Sequence, residues 1–309
     1  MWRFRSVGTL FLLSFVGCAR PSPPSLPSPS PPPCDLVFNP EKRTGCFVFA
    51  DTVASQESRV PVWYFLPSDF GPESNILFVM HGHRRHADTY RDDWILKAES
   101  KHVVLLAPLF SENDYPNPSG YPWGNVVNSD GEPNESELWT FKVLERLFDR
   151  FREMTGNRTS EYFLYGHSAG AQFIHRMILF LPNARIHSAV AANAGWYVLP
   201  SFSQCFPYGL SHSPATPELL KEALQRPLTI LAGDEDVDAE DPLLRNTRKA
   251  RAQGKNRLER ARTFIRKSKR TALKLSVPFK WNFEIVPGAA HSNKQMIERA
   301  ARVFFSDED

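Results

Sequence analysis

The run Gly166-His167-Ser168-Ala169-Gly170 constrains this chain more than any other. Tyr162, Phe163, Leu164 and Tyr165 before it read as a short buried strand. Ala171, Ile174, Ile178 and Leu181 after it recur at helical spacing. A Gly-x-Ser-x-Gly pattern between a strand and a helix sets a serine on a sharp, strained turn. The small residues have a steric reason. So tight a turn brings strand and helix backbones together, and bulk beside Ser168 would clash. The bland alternative is a glycine-rich turn whose serine only caps the helix.

Further apolar runs bounded by turn residues extend the pattern. Residues 46–50 and 60–66 read as two opening strands, paired antiparallel. Strands are expected at 76–80, 103–107, 186–192, 228–232 and 283–286, and helices at 137–154 and 292–305. Strands alternating with helices predict an α/β fold, a mostly parallel sheet with helices on both faces. Working residues then belong on loops at the carboxyl ends of strands. With 309 residues a single catalytic core suffices. A net charge of +3 gives no argument for a nucleic-acid partner.

A serine hydroxyl needs a base to take its proton, and the base needs a carboxylate to orient it. The loop after the 228–232 strand offers Asp234, Glu235, Asp236 and Asp238. Beyond that loop only one histidine remains, His291, between the last strand and the last helix. Elimination makes it the base.

Five runs carry a family resemblance: Met80-His81-Gly82-His83, Tyr90-Arg91-Asp92-Asp93-Trp94, Gly166-His167-Ser168-Ala169-Gly170, Asn193-Ala194-Gly195-Trp196-Tyr197 and Pro287-Gly288-Ala289-Ala290-His291. Over roughly residues 46–309 the chain resembles the α/β-hydrolase superfamily. Within it the chain is similar to esterases related to polyhydroxybutyrate depolymerases and feruloyl esterases. The resemblance implies the α/β-hydrolase fold and cleavage of carboxylic esters through an acyl-enzyme, with no cofactor and no metal. It implies Ser168 as nucleophile, His291 as base and Asp236 as triad acid, since a Gly-x-x-Asp run after this strand is the family habit. Asp234 and Asp238 stay open. It also implies the amides of His83 and Ala169 as oxyanion donors, with His81 holding the turn. A serine peptidase or thioesterase on the same fold is the nearest alternative.

Trp123 lies in the long loop after the 103–107 strand, and Trp196 and Tyr197 in the one after 186–192. These aromatics are expected to line an apolar cleft for a small or oligomeric ester. Two further readings compete. His81, His83 and His86 with Asp88 could suggest a metallohydrolase, but Arg85 stands where a ligating aspartate would be, and Arg84 and Arg85 would repel a cation. Residues 245–274 carry thirteen Lys and Arg against one acid, Glu259. That run fits a non-catalytic surface lipoprotein with a basic anion-binding helix. The plainer reading is the solvated face of a long helix with Leu258, Ala261, Phe264 and Ile265 inward.

The amino-terminal segment reads as an export device. Arg3 and Arg5 precede an apolar run from Leu10 to Val16, too short for a good membrane span, and Cys18 follows. Residues 15–18 resemble a bacterial lipoprotein box. The expected organisation is a signal peptide at 1–18, a Pro/Ser-rich linker at 19–40 and a catalytic domain at 41–309. A monomer lipidated at Cys18 and anchored in the cell envelope is expected, on the outer membrane in a Gram-negative host. Export would let Cys34 and Cys46, close in sequence, form a disulfide and leave Cys205 free.

Overall fold

The computed structural model describes residues 34–53 and 56–305. Cys18, the signal segment and residues 19–33 of the expected linker lie outside them. The strands are β1 (Thr44–Val53), β2 (Gln56–Phe65), β3 (Asn75–Met80), β4 (Val103–Pro108), β5 (Tyr162–His167), β6 (Ile186–Ala192), β7 (Leu228–Gly233) and β8 (Trp281–Val286). The helices are α1 (Ala87–Ser100), α2 (Asn117–Gly120), α3 (Thr140–Thr155), α4 (Ala169–Phe180), α5 (Pro217–Leu224), α6 (Arg248–Arg251), α7 (Arg257–Leu275) and α8 (Asn293–Phe304). One sheet runs in the order β1-β2-β4-β3-β5-β6-β7-β8. β1, β2 and β4 pair antiparallel, and every pairing from β4 through β3 to β8 is parallel.

The central strands are apolar along their whole length because both faces are covered. In β3, Ile76, Phe78 and Met80 join the core beneath α3, α4, α5 and α7. Leu77 and Val79 join a second core beneath α1 and α8. This is the α/β-hydrolase fold.

Several boundaries depart from the sequence reading. Phe38 is buried in the larger core, and Asp35 bridges Phe47, so the folded domain reaches back to Cys34 and residues 34–40 are not linker. The helix expected at 137–154 begins as a 3-10 turn, Ser136–Leu138. Trp139 is extended and α3 starts after it. The long basic helix is broken into α6 and α7. Gly254 (φ +154°) stands between them, where an added Cβ would meet Glu259 Cβ at 2.5 Å. Asn256 caps α7, its Oδ1 accepting from the Glu259 amide at 2.9 Å. Most cations of α7 are exposed, but Arg257 and Arg260 point inward.

Candidate active site

Ser168 sits between β5 and α4 with φ 58° and ψ −112°, a backbone state that a non-glycine residue adopts only when its surroundings enforce it. The enforcing contacts are on either side. A Cβ on Gly166 would lie 2.6 Å from the Gly170 carbonyl carbon. One on Gly170 would lie 2.2 Å from the Met80 carbonyl oxygen. The Ser168 amide donates to Ala192 O at 2.9 Å, tying the turn to the end of β6.

His291 Nε2 is 3.1 Å from Ser168 Oγ, and His291 Nδ1 is 2.8 Å from Asp236 Oδ2. A carboxylate only accepts, so Nδ1 carries the proton and Nε2 is left as an acceptor facing the serine. Asp236 is buried in the loop after β7. Asp234 and Asp238 do other work. Asp234 accepts from the Gly288 amide at 2.7 Å, and Asp238 from the Glu240 amide at 2.9 Å.

Three groups hold this line that sequence reasoning missed. Asn193, just past β6, donates to Ala290 O at 3.1 Å and accepts from the Gly233 amide at 2.9 Å, so one side chain joins the ends of β6 and β7 to the His291 loop. Arg257 is buried on α7 and donates to Asp236 Oδ1 at 3.2 Å and to Asp241 Oδ2 at 2.6 Å. His167 lies 4.6 Å from the His291 ring and hydrogen-bonds Tyr90 Oη at 3.0 Å. Burial first, then the charges of His291 and Arg257, push His167 well below the usual histidine range, so it is a neutral wall.

The His81–His83 turn runs beside the serine. A Cβ on Gly82 would stand 3.7 Å from Ser168 Cβ and 2.5 Å from Tyr90 Oη. His81 is fully buried. Its Nε2 accepts from the Phe110 amide at 3.1 Å, and its Nδ1 donates to Gly82 O at 3.0 Å. Burial and Arg85 lower it to about 3. Both ring nitrogens are occupied. Arg85 is held by Glu112 and the carbonyl of Tyr115. Among the described residues no three His, Cys, Asp or Glu converge as metal ligands. His83 is exposed at the carboxyl end of β3, and Ala169 opens α4.

The aromatic residues divide. Trp123 and Trp196 meet edge to face at 6.1 Å. Tyr197 turns the other way, is fully buried, and stacks on Phe264 at 4.4 Å, because Gln253 grips its backbone N–H and C=O. Tyr197 is therefore core, not cleft. Trp196 packs with two guanidiniums, Arg176 at 4.5 Å from its centroid and Arg245 at 4.9 Å. Trp196 is itself buried, and its surroundings are basic and aromatic rather than simply apolar.

Cys34 and Cys46 form a disulfide, and Cys205 is free and exposed.

No family model and no curated protein matches the sequence. Solved structures do. Poly(aspartic acid) hydrolase-1 from Sphingomonas sp. KT-1 is 39% identical with a TM-score of 0.81, the match covering 84% of this chain and 97% of that one. The poly(3-hydroxybutyrate) depolymerase LpqC from Bordetella parapertussis is 32% identical with a TM-score of 0.81, covering 85% and 89%. An S-formylglutathione hydrolase from Agrobacterium tumefaciens, 15% identical with a TM-score of 0.54 over 84% of this chain and 92% of that one, shares the fold. With the sheet order, the serine turn and likeness to two hydrolases above 30% identity over more than four-fifths of the chain, the chain belongs to the α/β-hydrolase superfamily of serine hydrolases.

Proposed function

We propose that this protein cleaves carboxylic esters through an acyl-enzyme on Ser168. The observation that carries the reading is the continuous line from Asp236 Oδ2 through His291 to Ser168 Oγ, with spacings of 2.8 and 3.1 Å. His291 Nε2 takes the hydroxyl proton as Ser168 attacks the carbonyl carbon. Asp236 holds the imidazole in the tautomer that can accept and stabilises the imidazolium that forms. The backbone amides of His83 and Ala169 receive the oxyanion, a contribution that is often the largest single one in such sites. His291 then gives its proton to the leaving alcohol, and water repeats the cycle on the acyl-enzyme.

A fluorophosphonate probe should label the wild type at Ser168, and Ser168→Ala should abolish labelling. Labelling that persists in the variant would end this assignment. Chelators should leave labelling untouched.

A second reading, cleavage within a polycarboxylate chain, has specific support. Arg176 is fully buried, and its Nε and Nη2 have no hydrogen-bond partner among the described residues. The half-buried Arg245 bonds Tyr208 Oη but pairs with no carboxylate among the described residues, and both guanidiniums lie near the Trp196 ring. The Sphingomonas protein acts on poly(aspartic acid) and the Bordetella protein on poly(3-hydroxybutyrate). A panel of nitrophenyl esters, hydroxybutyrate oligomers and aspartate oligomers decides between neutral esters and polyanions.

We further propose an exported protein, lipid-anchored through Cys18. The N-terminal sequence motivates the anchor, and the Cys34–Cys46 disulfide supports an oxidising compartment. Among the described residues no helix is long and apolar enough to cross a membrane.

A further inference from the structure

We propose that Arg257 and Asp241 form a charge-balanced clamp that positions the Asp236 carboxylate and fixes the charge that faces His291. The inference rests on the triad reading above and adds two positioning residues to it.

The need for a clamp follows from where Asp236 sits. It lies in a long loop between β7 and α6, without regular structure, and its backbone is tied locally only by its amide on Gly233 O at 3.3 Å. A carboxylate on such a loop can rotate. Here both oxygens are used. Oδ2 meets His291, and Oδ1 accepts from Arg257 Nη1. Arg257 is itself fixed at both ends. It is the first residue of α7, directly after the Asn256 cap. Its other terminal nitrogen is bound by Asp241, whose Oδ1 accepts from the Leu243 amide at 2.8 Å. The clamp is therefore anchored to a helix start and to a side-chain-capped turn. Arg257 is 2% exposed, so solvent screens these charges little.

Charge balance explains why two acids accompany one base. A lone guanidinium against Asp236 would weaken its pull on the imidazolium. Asp241 offsets that charge and leaves the cluster with one net negative charge facing His291. Burial alone would raise the Asp241 carboxyl. The Leu243 amide and Arg257 overcome that and hold it below the ordinary carboxylate range. Other groups around His291 are accounted for. His167 from β5 is neutral, and Tyr197 near Asp236 is pushed far above the ordinary tyrosine range by burial and by that carboxylate. Asp234 is bound to the Gly288 amide, and Asp93 of α1 is paired with Lys294 of α8. Arg260, one turn along α7, is taken up by the Gly195 and Gly254 carbonyls.

The test reads the second-order rate of fluorophosphonate labelling of Ser168 from about pH 5 to about pH 9, where the acid limb reports deprotonation of the free-enzyme base. Asp241→Asn removes a negative charge, so the limb should move to lower pH by about half a unit or more. Arg257→Gln removes a positive charge and should move it to higher pH by a similar amount, with a slower plateau. Arg257→Lys keeps the charge but not the two-pronged geometry. Its limb should stay in place while its plateau falls about tenfold. Arg262→Gln, on the exposed face of α7, should change neither. Near-ultraviolet circular dichroism confirms folding, and Asp241→Asn carries the test if Arg257→Gln does not fold. Wild type labelled at Ser168 with the limb unmoved in the folded Asp241 and Arg257 variants overturns the clamp alone. Wild type unlabelled overturns the triad reading and the clamp with it.

Discussion

At the scale of single residues, the three aspartates of one loop show how partner atoms divide labour. Asp236 faces His291, Asp234 holds the Gly288 amide, and Asp238 closes a local turn. Asp236→Asn should cost about 10⁴-fold in turnover, because the amide cannot hold the imidazole in the accepting tautomer. Asp238→Asn should stay near wild type, and steady-state kinetics on one nitrophenyl ester ranks the pair. An inactive Asp238→Asn beside an active Asp236→Asn would reverse the assignment. The buried histidines set a second expectation. His81, His167 and His175 are all held below the ordinary value of 6.5, His81 at about 3, with burial the largest cause in each. They fold neutral, while the unfolded chain takes up protons as pH drops below about 6.5. Stability should therefore be full above that pH and fall below it, by up to about 1.4 kcal/mol per histidine per pH unit. His175 bonds Ala171 O and the Val198 amide, so His175→Gln should flatten the decline of Tm between about pH 7 and about pH 5. A Tm that does not move over that range in the wild type would count against neutral burial. Ser168 and His291 were legible because each stands at a strand-to-helix turn with few rivals. Arg257 was not, since inside a run of thirteen cations it looks like one more solvated charge. Asn193 was quoted within a motif, but its bracing role needs the β6, β7 and β8 ends to be adjacent, which only the sheet order provides.

At the scale of elements, the site depends on how closely backbones pass. The Gly170 position brings α4 onto the end of β3, and Gly233 lets the Ala289 carbonyl pass where a Cβ would stand 2.0 Å away. Neither neighbour is a flexible side chain, so neither can move aside. Gly170→Ala should destabilise the protein by about 2–4 kcal/mol and lower probe labelling with it. Denaturant unfolding measures the first, and a variant with unchanged stability would show that the turn has slack. The parallel strands were readable as continuous apolar runs, and the amphipathic α3 was readable by its stripe, apart from the break at Trp139. α1 escaped notice because its buried positions Ala87, Arg91, Trp94 and Ala98, although at helical spacing, are two alanines, an arginine and one tryptophan, which do not read as an apolar stripe. The break between α6 and α7 was hidden by charge. The stripe of Leu258, Ala261, Phe264 and Ile265 marked α7, but nothing in the charged residues before it marked a stop, which is made by Gly254 and the Asn256 cap.

At the scale of the whole molecule, the enzyme domain starts at a covalent link. The Cys34–Cys46 disulfide closes a short loop that carries Phe38 into the larger core and sets Asp35 beside Phe47. Closing a loop of this size restricts the unfolded chain and is worth about 2–3 kcal/mol. Reduction, or Cys46→Ala, should lower Tm by several degrees while leaving Ser168 labelling intact, since both cysteines lie on the β1 side of the sheet, far in strand order from β7 and β8. Upstream of the link the sequence changes character. Residues 20–33 hold almost only proline and serine, the composition behind the linker expectation. Cys18, after the apolar run from Leu10 to Val16, is the residue we propose carries the lipid. On the proposed anchor, one acyl chain would bind a bilayer only marginally, whereas a triacylated cysteine would anchor stably. Mass spectrometry of the mature amino terminus should find lipid-modified Cys18, and Cys18→Ser should move the protein from the membrane fraction to the soluble one with Ser168 labelling kept. A lipid-free terminus at another residue, in a soluble wild type, would remove the anchor and leave a freely secreted hydrolase.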